Sequence, residues 1–160
     1  MALTNTQLAA CAGAIAWCFS QYVFTESPHI LGFCSGVICG LTSITSGAAY
    51  VSLWSALVIG AVGGILAYIY SHYKTMHYKE NKDSLDVFGC HGIGGAWGGI
   101  AVGLFATVES GSKYSGLFYG GANVFGQNIL GVFVIGLYSF FVIWINIFIL
   151  ERLLEMKVPG

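Results

Sequence analysis

His91 is the residue whose place in the sequence most strongly suggests chemistry. It interrupts a run without formal charge that extends from Val87 to Val108. Ionisable side chains at membrane depth are costly and tend to line a pathway or pair with a partner, and an imidazole exchanges protons near neutral pH. Two interpretations stay open: a pathway histidine, or a structural histidine satisfied by a carbonyl or hydroxyl group. Haem ligation is disfavoured, because no second histidine of the sequence lies at a comparable depth.

Two other polar residues have informative positions. Asp86 lies at the start of the helix that would carry His91. A carboxylate there can accept hydrogen bonds from free N–H groups and complement the helix dipole, so we predict that Asp86 is a structural helix cap. Asn146 lies late in an apolar segment, where we expect it to hydrogen-bond to a neighbouring helix.

The remaining cysteines and histidines do not suggest a metal or catalytic centre. No two cysteines form a CxxC pair, and we interpret all of them as small buried hydrophobes rather than a disulfide framework or zinc site. We expect the other histidines to be interfacial or solvated, and we expect neither a metal nor a cofactor. These residues are Cys11, Cys18, Cys34, Cys39, Cys90, His29, His72 and His77.

The composition is that of a membrane protein. Only 8% of the 160 residues are charged, 56% are hydrophobic, and the mean hydropathy is +0.77. A water-soluble domain carries about 25% charged residues, so a soluble enzyme domain is excluded and we expect no enzymatic activity. The net charge of −1 gives no basis for binding nucleic acid.

The spacing of the charges predicts five membrane-spanning helices. A span needs about 20 apolar residues, and only helices or closed barrels satisfy their backbone in lipid. No run alternates with a period of two, so we predict an all-α membrane protein in which residues 1–160 form a single membrane domain. The predicted spans are about 3–24, 30–49, 53–73, 86–107 and 125–150.

Glycine favours close packing of these helices. The chain has 23 glycines, about twice the usual frequency. Many are spaced by four residues, which lets helix backbones approach each other in lipid. The rows are Gly32, Gly36 and Gly40; Gly60 and Gly64; and Gly95, Gly99 and Gly103.

The basic residues predict an orientation. With five spans, most of them fall on one side of the membrane, and basic residues favour the cytoplasm. We therefore expect an integral, multi-pass protein of the plasma (inner) membrane, with an outward N-terminus and a cytoplasmic C-terminus. The start has no signal peptide and is typical of the middle of a longer protein. Lys74, Lys79, Lys82, Arg152 and Lys157 lie on the predicted inner side, and Lys113 lies opposite.

The sequence resembles the ammonium transporter (Amt) family of the ammonium transporter/Rhesus superfamily. The segment from Asp83 to Gly95, DSLDVFGCHGIGG, is similar to the family signature D-S-x-D-V-F-x-x-H-G-x-G-G. The resemblance extends over essentially the whole chain and corresponds to about the seventh to eleventh spans. It fits the Amt branch better than the Rhesus branch. Other matching segments are Asn5-Thr6 through Ala16-Trp17, Leu31 to Thr45, Ala56 to Ala61, and Gly116 to Gly121.

The resemblance implies a transport function. The family conducts ammonium through a narrow hydrophobic pore in each subunit of a homotrimer, where two histidines share a hydrogen bond near mid-pore. It implies that His91 is the second of these histidines, a proton-relay and substrate residue, and that Val87, one turn earlier, is pore wall. The implied partners are ammonium or ammonia as substrate and the lipid bilayer.

The chain also departs from the family pattern. The first pore histidine, the external recruitment site and the paired phenylalanines are missing, and Ser46 follows Thr45 where the family usually has proline. The tail after Arg152 is short. Two interpretations follow: the C-terminal part of a pore-forming subunit that needs an N-terminal half, or a truncated, non-transporting homologue that acts as a regulatory or interaction subunit.

Overall fold

The computed structural model describes residues 1–25, 27–77, 83 and 85–154. Of residue 154 it describes only the backbone. Over this part the chain is helical, without a named strand. The helices are α1 (Ala2–Thr25), α2 (Ile30–Ile44), α3 (Leu53–His77), a π-helical segment (Phe88–Ile93) that runs directly into α4 (Gly94–Phe105), and α5 (Ala122–Leu154), with short 3₁₀ turns at Val108–Ser110 and Leu117–Tyr119.

The predicted all-α membrane class is confirmed, and the described residues form five helices in the predicted order. Four are long and apolar enough to cross a membrane. The exception is α2, which has 15 residues and ends at Ile44, whereas we predicted a span to about residue 49. Residues 45–50 form tight turns instead, closed by bonds such as Gly47 N–H to Ile44 O (2.9 Å) and Tyr50 N–H to Gly47 O (2.8 Å).

Asn5 holds these turns against α1. Its side chain is fully buried, and its Nδ2 donates to the carbonyl oxygens of Ala48 (2.8 Å) and Val51 (2.9 Å). Buried carbonyl groups need such partners, because leaving one unpaired costs as much as a lost hydrogen bond. Because α2 ends early, these carbonyl groups have no helical hydrogen bonds, and a side chain more than forty positions away bonds to them instead.

Glycine lets the first three helices meet at backbone distance. A Cβ placed on Gly13 would lie 2.5 Å from the carbonyl oxygen of Gly36 and 2.8 Å from Cα of Gly40. A Cβ on Gly64 would lie 2.6 Å from the carbonyl oxygen of Gly13. The predicted glycine rows of α2 and α3 therefore both face α1, which packs between these helices.

Contacts at the helix ends show that α3, α4 and α5 run in alternating directions. An isolated antiparallel bridge joins Val51 to Ala106, so the start of α3 meets the end of α4. At the opposite end Lys74 meets Asp86, just before the π-helical segment. A Cβ on Gly103 would lie 3.0 Å from Cα of Phe125, so α5 returns antiparallel to α4. Lys74 and Arg152 therefore lie at one end and Lys113 at the other, whereas Lys79, Lys82 and Lys157 lie outside the described residues.

Helix α5 is the least enclosed element. None of the residues in its most hydrophobic stretch is buried, and large side chains such as Leu130, Phe133 and Trp144 are more than half exposed. Exposed apolar surface of this extent is typical of contact with lipid or with further protein.

Candidate functional site

The segment that carries His91 is π-helical rather than α-helical. The N–H of Gly94 donates to Gly89 O, five residues back, and to His91 O. The N–H of Cys90 donates to Asp86 O at 2.8 Å, which begins the helix. Single π-helical turns inside membrane or soluble helices occur often at functional sites, because they change the direction of nearby side chains at a cost in regular bonding.

His91 lies on an exposed face of the chain, as does Val87, whose side chain is 52% exposed. Across residues 1–25, 27–77, 83 and 85–154, the ring of His91 forms no hydrogen bond with the protein. The structural interpretation requires a carbonyl or hydroxyl group of this chain to bond to the ring, and none of the described residues provides one. The imidazole is free to bind groups that approach this face from outside.

An open groove begins four residues after His91, between α4 and α5. It has a volume of about 390 Å³. A Cβ on Gly95 would meet no atom within 4 Å, so this glycine faces open space and not a packed helix. Small residues on one wall and the amides of Gln127 and Asn128 on the other make the groove partly polar. Its lining includes Ser46, Gly95, Gly99, Gln127, Asn128 and Val132.

A buried ion-pair network anchors the start of the same segment. Lys74 Nζ lies 2.8 Å from Asp86 Oδ1 and 3.3 Å from Asp83 Oδ2, and it also donates to Asp83 O at 2.8 Å. The side chain of Lys74 is only 8% exposed. Ser71 donates its hydroxyl to the same Asp86 oxygen at 2.7 Å. A nearly buried ammonium group with three oxygen partners ties the end of α3 to the start of the π-helical segment.

We did not predict this network. We used Lys74 only as one of the basic residues that predict the orientation, whereas the structure buries its side chain. The signal was available: Lys74 and Asp86 flank one short polar loop between two apolar helices, so the helix ends had to meet.

The predicted cap at Asp86 needs correction. The carboxylate that accepts hydrogen bonds from the free N–H groups is that of Asp83, with Val87 N–H at 2.8 Å and Phe88 N–H at 3.2 Å. Asp86 has a left-handed backbone, with φ at 54°, and its Oδ1 points to Lys74. A non-glycine residue in this conformation is held by its surroundings, so Asp86 is a structural ion-pair residue and the cap lies three positions earlier.

The environment of Asp83 lowers its pKa. Burial alone would raise the pKa of this carboxyl group, but the N–H groups of Val87 and Phe88 and the charge of Lys74 outweigh it and bring the pKa below its usual range. Hydrogen bonds and an opposite charge favour the ionised form of an acid. The cap is therefore an ionised carboxylate at neutral pH.

Other predicted features are partly corrected. Cys39 and Cys90 are buried as predicted, but Cys11 and Cys34 are exposed, because they lie on the outer faces of α1 and α2. Asn146 donates to Val142 O within its own helix (2.7 Å) and not to a neighbouring helix. His29 and His77 are exposed, and His72 is half-buried beside the rings of Phe24 and Tyr68. In the described part of the chain, no group of three or more His, Cys, Asp or Glu residues could hold a metal.

The fold and this face define a multi-pass α-helical membrane protein with an exposed histidine on a π-helical segment. A family model described as Ammonium Transporter Family matches residues 1–160. The chain belongs to the ammonium transporter family.

Individual relatives agree with this assignment. The chain is 42% identical over 120 residues to the ammonium transporter of Bacillus subtilis, covering 73% of this chain and 29% of the relative. It is 41% identical over 115 residues to ammonium transporter Amt1 of Archaeoglobus fulgidus, covering 72% and 28%. The crystal structure of Candida albicans Mep2 superposes with a TM-score of 0.89 at 28% identity, covering 99% of this chain and 36% of that one. The chain thus spans about a third or less of the proteins it matches.

Proposed function

We propose that this chain is the C-terminal part of a pore-forming subunit that moves ammonium or ammonia across a membrane. The observation that supports this proposal most strongly is the exposed ring of His91, which has no hydrogen-bond partner in the described part of the chain. The segment that carries this ring is held in place by the Lys74 ion pairs. An ionisable side chain within a membrane span is costly, and such residues commonly mark a substrate or proton pathway.

The chemistry of the substrate fits this residue. An ammonium ion is expensive to place in an apolar channel, whereas neutral ammonia is not. A dry pathway therefore favours deprotonation, and a neutral imidazole can accept the proton and pass it on. In this proposal His91 is the proton-relay and substrate residue, Val87 is the apolar pore wall, and Asp86 is structural.

A complete pathway needs more protein than this chain provides. The face with His91 and Val87 is exposed, and α5 offers a further apolar surface. We propose that residues 1–160 form one membrane domain, that an N-terminal half covers the His91 face, and that the complete subunits form a trimer. The Lys74 end would face the cytoplasm, in a plasma (inner) membrane.

The second candidate is a non-transporting homologue that joins complete transporters as a regulatory or interaction subunit. The same open face favours it, since a chain that covers about a third of its relatives would offer this surface to a complete subunit. In that case His91 would contact another polypeptide and would not line a conducting pore.

Uptake of ¹⁴C-methylammonium into liposomes separates the two candidates. The chain would be reconstituted alone, and also together with the segment of the Bacillus subtilis transporter that precedes its matched region. We expect no uptake with the chain alone and saturable uptake with the pair. The second candidate is supported instead if the pair assembles, as shown by co-purification, but stays inactive. Robust uptake by the chain alone contradicts the need for a second half.

A further inference from the structure

The π-helical turn beside His91 leaves one backbone carbonyl without its usual donor. In an α-helix the N–H of Gly94 would bond to Cys90 O, but here it bonds to Gly89 O and His91 O. Cys90 is buried, with 1% of its surface exposed, so water does not replace the lost donor. A hydrogen bond to this buried carbonyl from another helix would offset the loss of its α-helical donor.

Thr42 of α2 supplies that partner. Its hydroxyl Oγ1 lies 2.7 Å from Cys90 O, and also 3.0 Å from Cys39 O in its own helix. The bond to Cys90 joins residues forty-eight positions apart and is the shorter of the two. A threonine hydroxyl has one proton, so the interhelical bond competes with the local one, and the distances favour the interhelical one.

The helix beyond the π-turn is fixed against the same stretch of α2. A Cβ on Gly94 would lie 2.9 Å from Thr42 Oγ1, and one on Gly98 would lie 3.0 Å from Cα of Ser43. Helix α4 therefore cannot rotate on α2 without a clash. Any return of the π-turn to α-helical bonding must instead rotate the residues before it, by about 100°, the angle of one helical residue, and this rotation must also displace Asp86 from Lys74. That rotation would carry His91 off its present face.

We propose that Thr42 is a positioning residue for His91: its hydroxyl holds the Cys90 carbonyl, stabilises the π-turn, and so sets the direction of the imidazole. The proposal rests on the proposed role of His91 in transport for its functional consequence. Its structural part depends only on the bonds within this chain.

Alkylation of Cys90 by N-ethylmaleimide, quantified by peptide mass spectrometry, tests the structural part in the purified chain. Thr42→Val removes the hydroxyl and keeps the volume. We expect the rotation to expose Cys90 and raise its alkylation rate about fivefold, the factor that corresponds to one lost hydrogen bond. Thr42→Ser keeps a donor and should stay near the wild-type rate. The exposed Cys34 is the internal standard.

Two results would overturn the proposal. One is an unchanged Cys90 rate in Thr42→Val. The other is an equal rise at Cys18, which is half-buried on α1, because this would show general loosening and not a local change of register. A rise at Cys90 alone, reversed in Thr42→Ser, supports it.

Transport tests the functional part in the two-part reconstitution. Thr42→Val should lower the maximal rate of methylammonium uptake about tenfold with little change in half-saturation, because an interaction that acts in the transfer step affects rate more than binding. An unchanged rate contradicts the link to His91. Inactivity of the wild-type pair would count against the proposed transport function, and the alkylation result would still decide whether Thr42 holds the turn.

Discussion

Lys74 Nζ and Asp86 Oδ1 lie 2.8 Å apart in a position where the lysine side chain is only 8% exposed. This contact joins the last turn of α3 to Asp86, two positions before the π-helical segment. It also explains why Asp86 keeps a left-handed backbone, since the carboxylate must point back toward α3. The proposed pore histidine is five residues further along the same segment.

Replacement of Lys74 by Met should destabilise the protein strongly. It leaves Asp86 partly buried without a counter-charge, and breaking one partner of a buried pair costs about 3 kcal/mol or more. The measurement is the free energy of unfolding by SDS in mixed micelles. Lys113→Met is the control, because Lys113 is exposed at the opposite end of the helices. Equal stabilities of the two variants would contradict the structural role of the pair.

The double variant Lys74→Met with Asp86→Asn refines this test. Asparagine carries no charge and, like aspartate, tolerates the left-handed backbone, so the buried charge is removed without new backbone strain. We therefore expect the second substitution to recover a large part of the stability that the first one removes. A double variant that is less stable than Lys74→Met would show that Asp86 acts through other contacts.

The cap at Asp83 should make stability depend on acid pH. Its pKa is lowered in the folded protein, so its contribution is complete at neutral pH and is lost as the pH falls below about 4. Asp83→Asn keeps an acceptor but removes the titration. Unfolding measured from pH 6 to pH 3 should show a smaller loss of stability in Asp83→Asn than in the wild type. Parallel pH profiles would contradict an ionised cap.

Asn5→Ala should weaken the junction of α1 with the turns after α2. It removes two donated bonds and leaves the carbonyl groups of Ala48 and Val51 without them. We expect a loss of about 2 kcal/mol in the free energy of unfolding. Asn146→Ala removes only an exposed bond within its own helix, so it should change stability by less than about 0.5 kcal/mol. A loss at Asn5 no greater than at Asn146 would be the contrary result.

Gly40→Ala should separate α1 from α2. The added Cβ would lie 2.8 Å from the carbonyl carbon of Ala9 and 2.9 Å from Cα of Ala10, and backbone atoms cannot move aside cheaply. Overpacking of this kind costs about 1–3 kcal/mol. Gly136→Ala on α5 meets no atom within 4 Å, so we expect helix propensity to make it neutral or stabilising. Thermal unfolding in detergent compares them, and equal effects would contradict the packing.

The helices could be predicted from the sequence because charge is rare and its gaps are long. The early end of α2 could not, since it depends on Asn5 reaching carbonyl groups more than forty residues away. The four-residue rows predicted close packing, but not that Gly95 would face an open groove. Which helix meets which is a property of the folded chain and leaves no local pattern.

The sequence predicted His91 as the candidate site residue, but it did not predict the contacts that hold its segment in place. His91 was singled out by its polar character in an apolar run and by the family signature, and its role stays a prediction. The π-turn, the Thr42 bond and the burial of Lys74 arise from the contact of α2 and α3 with one segment. The error at Asp86 has the same origin: Asp83 and Asp86 both suit a cap, and only the position of Lys74 decides between them.

The proposed role of His91 would be tested in liposomes that hold this chain with its N-terminal complement, where the uptake of methylammonium is compared between His91→Ala and His29→Ala. His29 is an exposed histidine at the start of α2 and serves as the matched control. We predict that His91→Ala changes the uptake rate or its proton coupling at least about tenfold, with normal assembly, and that His29→Ala has no effect. Equal uptake and equal proton coupling in the two variants would contradict a role for His91 in the pathway.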